Sequence, residues 1–79
     1  MFVEIDLRSG AGRIIASFDT YAAADVVTEA EDVWRRRFAC DPTVTVTVVA
    51  HAGSEHAQTI AGPCRVPDLA HALVGVRGL

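Results

Sequence analysis

Seventy-nine residues give room for one hydrophobic core, so the chain is expected to be one small domain over 1–79, with little volume for a substrate pocket. With 51% hydrophobic and 22% charged residues, the composition excludes a disordered, charge-rich chain. Seven Arg and no Lys oppose ten acidic residues, and the net charge of −3 repels a phosphate backbone unless the basic groups gather on one face.

From Phe2 to Leu7 the pattern alternates, with Val3, Ile5 and Leu7 on one side and Glu4 and Asp6 on the other, the period of a half-buried strand. Arg8 to Gly12 supplies a turn. Arg13 to Phe18 resumes the alternation and is predicted to place Ile14, Ala16 and Phe18 toward the core and Ile15 outward, closing a hairpin. The Gly10–Ala11–Gly12 loop runs into a strand instead of a helix, so the context of a phosphate-binding glycine loop is missing.

Asp19 or Thr20 offers an N-cap for a helix from Tyr21 to about Phe38. Ala23, Val27, Ala30, Trp34 and Phe38 form its apolar stripe, widened by Val26 and Val33. Glu31 with Arg35 and Asp32 with Arg36 are spaced to pair on the opposite side. Cys40, Asp41 and Pro42 end the helix, because the residue before a proline is pushed out of the helical region.

Thr43 to Ala50 alternates Val44, Val46 and Val48 with Thr43, Thr45 and Thr47. A β-branched run without Pro, Lys or charge would invite intermolecular pairing at an open edge, so it is expected to be a central strand or one paired in an oligomer. His51 to His56, with Gly53 and Ser54, reads as a turn; Ala57 to Ala61 reads as a weaker strand, and Gly62 and Pro63 as a break. A short helix begins at Pro67 or Asp68 and uses Leu69, Ala72, Leu73 and Val76 as its apolar side before Gly78. The predicted fold is α+β in ββαββα order: a two-layer sandwich with an antiparallel sheet of about four strands and helices on one face.

The N-terminus lacks the basic and then apolar regions of a signal peptide, and no stretch reaches the roughly 20 apolar residues of a membrane span. A cytoplasmic protein is expected, with Cys40 and Cys64 as free thiols. Abundant Ala, Val and Arg without Lys or Asn suit a small accessory protein of a GC-rich bacterium or its phage.

Three surfaces carry functional expectations. His51, His56, Cys64 and His71 include the ligand types of a zinc or thiol site, yet their spacing matches no compact finger, and the simpler reading leaves the histidines on the surface and Cys64 inert, with no metal and no cofactor. Asp68 and His71 stand one turn apart, but an Asp at a helix start is explained by capping. Trp34, Arg35, Arg36 and Arg37, with Arg65 and Arg77, are the one grouping that resembles a nucleic-acid surface, although the helix dipole and the pairing with Glu31 and Asp32 account for the arginines.

The third surface is the sheet face left by the helices, where Phe2, Ile15 and Val49 are expected as an apolar group among Thr45 and Thr47. That pattern, with no catalytic constellation, favours a non-enzymatic protein-binding module that docks a partner or a second copy of itself on this face or along an edge strand. No motif is specific enough to name a family.

Overall fold

The computed structural model describes residues 2–52 and 57–74. In chain order it contains β1 (Phe2–Arg8), β2 (Ile14–Thr20), a 3-10 turn (Ala23–Asp25), α1 (Val26–Phe38), β3 (Thr45–His51), β4 (Ala57–Arg65), a second 3-10 turn (Val66–Asp68) and α2 (Leu69–Ala72). The ββαββα order stands, and the four strands form one antiparallel sheet in the order β2-β1-β3-β4. The valine-threonine strand β3 is internal, between β1 and β4, as its lack of edge protection requires.

Register assigns the faces, because cross-strand partners point to the same side. Val3, Ile5 and Leu7 of β1 stand opposite Thr20, Phe18 and Ala16 on β2 and opposite Ala50, Val48 and Val46 on β3. Val3, Ile5, Leu7, Ala16, Val46 and Val48 supply half of a buried cluster completed by Val26 and Ala30 of α1, by Val44, by Ala61 of β4, and by Val66 and Leu69 at the chain's second helical segment. Ile5, Leu7, Val26, Val46, Val48, Val66 and Leu69 are fully buried. At about 1.5–3 kcal/mol for each buried branched side chain, this cluster is the main source of stability.

The helix begins later than predicted. Thr20 belongs to β2, and its hydroxyl accepts the Ala22 backbone N–H at 3.1 Å, so it organises the turn and caps no helix. Asp25 occupies the N-cap position without a side-chain capping bond. The end is marked by two left-handed residues, Ala39 (φ 50°) and Cys40 (φ 57°), and the Cys40 N–H returns to the Trp34 carbonyl at 3.2 Å.

Two bulges overturn local expectations. Between Leu7 and Arg8 the register shifts, so that Ala16 faces Leu7 while Ile14 faces Arg8. Ile15 is the extra residue, and it packs half-buried against the core; Ile14 is 50% exposed. The predicted sides of Ile14 and Ile15 are thus exchanged, because one inserted residue inverts strict alternation.

In β4 the strand continues through Gly62 and Pro63, where a break was expected. Cys64 faces Val46 and Ala61 faces Val48, so two residues stand where β3 supplies only Thr47. Gly62 makes this possible with φ 87° and by lying against the β3 backbone, where an added Cβ would come within 2.9 Å of Thr47 Cα. The last helix is shorter than expected, a 3-10 turn and the four residues of α2, and the expectations for Gly53, Ser54, His56, Val76, Arg77 and Gly78 lie outside the described residues.

Candidate functional site

The second sheet face, opposite the buried cluster, is built from the intervening strand positions. On β1 these are Phe2, Glu4, Asp6 and Arg8; their partners include Ser17 and Asp19 on β2 and Thr45, Thr47, Val49 and His51 on β3. Sequence reasoning placed His51 in a turn, but it is the last residue of β3 and pairs with Phe2. The two rings stack with centroids 4.5 Å apart and planes 9° from parallel, and Tyr21 lies beyond Phe2 at 6.0 Å. Tyr21 is 84% exposed, so this end of the face is an aromatic corner open to solvent.

Toward the centre the face becomes polar and acidic. His51 Nε2 lies 3.2 Å from Glu4 Oε1, and since an ionised carboxylate only accepts, Nε2 carries the proton in that contact. Glu4 and Asp6 are two residues apart on one strand and share the face, which also holds Asp19 opposite Glu4. Hydrogen bonding to the Asp6 carboxylate, and after it burial and the repulsion of that charge, push the Glu4 carboxyl above its ordinary value; His51 offsets part of the effect.

Asp6 is nearly inaccessible at 5% exposure and accepts the Ser17 hydroxyl at 2.6 Å. Thr47, expected as an open hydroxyl, is also buried, and its Oγ1 accepts Arg8 Nη1 at 3.3 Å. The face therefore carries separate hydrogen-bonded polar groups in which the buried members Asp6 and Thr47 are satisfied, bordered by Phe2, Tyr21 and Val49.

Of the five residues expected to bind protein, Phe2 and Val49 remain half-buried on this face and Thr45 borders it opposite Arg8. Thr47 is enclosed and Ile15 belongs to the core side. The expected triad of Phe2, Ile15 and Val49 does not form. Sequence reasoning missed Tyr21 and His51 as members of this surface; the signal for His51 was its position in phase with Val49 and Thr47, continuing their alternation.

The other candidates are separated or engaged. Arg35 Nη2 and Arg36 Nε both reach Asp32 Oδ1, at 3.3 and 3.0 Å, in place of the expected Glu31–Arg35 pair. The Arg37 guanidinium lies 5.6 Å from the Phe38 ring centroid. Trp34 packs against the core and donates its indole N–H to the Asp41 carbonyl at 2.8 Å. Arg65 pairs with Asp68 at 3.2 Å, which takes the Asp68 carboxylate to Arg65 and leaves it outside any helix-capping bond.

Cys40 and Cys64 are both free, and burial, followed by the charge of Asp68, pushes the Cys64 thiol up. Among the described residues no three His, Cys, Asp or Glu side chains come together as a metal site, and no helix is long and apolar enough to cross a membrane. Comparison with known proteins supplies no relative: no family model, no curated protein and no solved structure matches the chain.

Proposed function

We propose that the chain is a non-enzymatic protein-interaction domain, a two-layer sandwich whose helices cover one sheet face and whose second face receives a protein partner. The reading rests on one observation above the rest. The second face combines an aromatic corner of Phe2, His51 and Tyr21 with three neighbouring carboxylates, Glu4, Asp6 and Asp19, held in place by strand pairing.

Charge defines the partner. Arg8 at the far end of β1 is committed to Thr47, so the half of the face nearer the aromatic corner is acidic on a chain of net charge −3. A segment offering a Lys or Arg to Glu4 and Asp19 and an apolar side chain to Phe2 and Val49 complements it in both respects. Ser17 donates to Asp6, and no described His lies within hydrogen-bond reach of that hydroxyl.

The test is affinity capture from a lysate of the source organism, nuclease-treated, with the unsubstituted chain and the Val49→Arg variant side by side. A basic protein retained at constant stoichiometry by the first and lost by the second supports the reading. Equal retention by both removes the second face from it.

A further inference from the structure

The two edges of the sheet differ in kind. β4 is interrupted by two register shifts and carries Gly62 and Pro63, which spoil it as a template for another strand. β2 has seven residues, Ile14–Thr20, without Pro, Gly or Lys, and no described element stands beyond it. Two of the three large hydrophobic side chains exposed on the described surface flank this edge: Ile14 at 50% and Tyr21 at 84%. Phe18 is only half-buried although it points to the core side, because no described element closes the sheet past β2. An edge whose single charge is Asp19, with apolar side chains at both ends, is a strand-pairing surface, and the blocked opposite edge lets pairing stop at two copies.

We infer that β2 pairs antiparallel with β2 of a second copy of this chain about a two-fold axis at Phe18, joining two four-stranded sheets into one. The bulge at Ile15 fixes what meets across the seam. It puts Ile14 on the same face as Ser17, Asp19 and Tyr21, the last located there by its contact with Phe2. With Phe18 on the axis, Ser17 stands opposite Asp19 of the other copy and Ala16 opposite Thr20. The bulge then brings Ile14 opposite Tyr21, so both exposed apolar side chains of each edge are covered. No like charges face each other, whereas an axis at Asp19 would oppose two carboxylates. The seam shares Asp19 and Tyr21 with the border of the second face but does not include Val49, so substitution at Val49 tests the partner face without touching the seam.

The decisive experiment is sedimentation equilibrium of the full chain over a concentration series, with circular dichroism to verify folding of each variant. The unsubstituted chain is expected to dimerise. Ile14→Glu with Tyr21→Glu, which places Glu opposite Glu twice, should weaken the dimer roughly a hundredfold. Ile14→Glu with Tyr21→Arg should recover association, since the two charges then attract. A monomer throughout, a dimer indifferent to the double Glu variant, or no recovery with the charge swap would each overturn the inference. A readout without substitutions is amide hydrogen exchange, in which protection of Ser17 and Asp19 rises with protein concentration if β2 is the seam and is independent of it otherwise.

Discussion

Gly62 gives the sharpest test of how the sheet is held together. An alanine there would require a left-handed backbone at φ 87°, and its Cβ would overlap the Val46 carbonyl and lie 2.9 Å from Thr47 Cα. The backbone conformation alone costs about 1 kcal/mol with a side chain present. Relieving the overlap means moving β4 away from β3, with loss of a ladder hydrogen bond and of packing, for a total of about 3 kcal/mol or more. A domain of this length has a stability on the order of 4–12 kcal/mol, so the melting temperature should fall by roughly 12–24 °C.

Gly12 provides the control, having the same φ of 87° with nothing within 4 Å of an added Cβ. Gly12→Ala should cost only the backbone share, about 1 kcal/mol. Urea and thermal melts of both variants separate the shared conformational cost from the contact specific to Gly62. Equal destabilisation within about 0.5 kcal/mol would refute the close approach of β4 to β3.

Leu69→Ala should cost about 2–5 kcal/mol in urea melts, against less than about 0.5 kcal/mol for Val74→Ala, because Leu69 is fully buried and Val74 is 76% exposed. Because Glu4 is raised above its ordinary 4.5, the native state binds that proton more tightly than the unfolded chain; its stability contribution is present below that value and is lost as pH rises through the higher native one. Urea midpoints followed across this range should therefore decline with pH more in the unsubstituted chain than in Glu4→Gln. Alkylation should modify exposed Cys40 well before half-buried Cys64, with peptide mass mapping as the readout. Ala39→Gly should stabilise the chain by up to about 1 kcal/mol in thermal melts, since Ala39 ends α1 in a left-handed conformation.

The sequence was most legible where one period ran without interruption. Val3, Ile5 and Leu7, and Val44, Val46 and Val48 at and before β3, alternate strictly, and each set is buried. The internal place of β3 followed from its lack of any charge or proline. Legibility failed where a single residue breaks the period. Ile14 and Ile15 are chemically alike, so nothing in the pair reveals which one is the bulge, and the error inverted a predicted binding residue. Gly62–Pro63 reads as a break by composition, but a bulged edge strand accommodates both residues, because its proline needs no ladder donor. The candidate site was legible as a face and incomplete as a set of residues, since Tyr21 follows β2 outside its regular span and comes to Phe2 only through the turn leading to α1.

The claim on which the account turns is that the second sheet face contacts a protein. Its most direct test is photo-crosslinking in the source organism's lysate from benzoylphenylalanine placed at Val49, compared with the same probe at the exposed Arg36 of α1. The account predicts one discrete adduct with a basic protein from position 49 and none from position 36. Identical patterns from both positions, or no adduct from Val49, would contradict it.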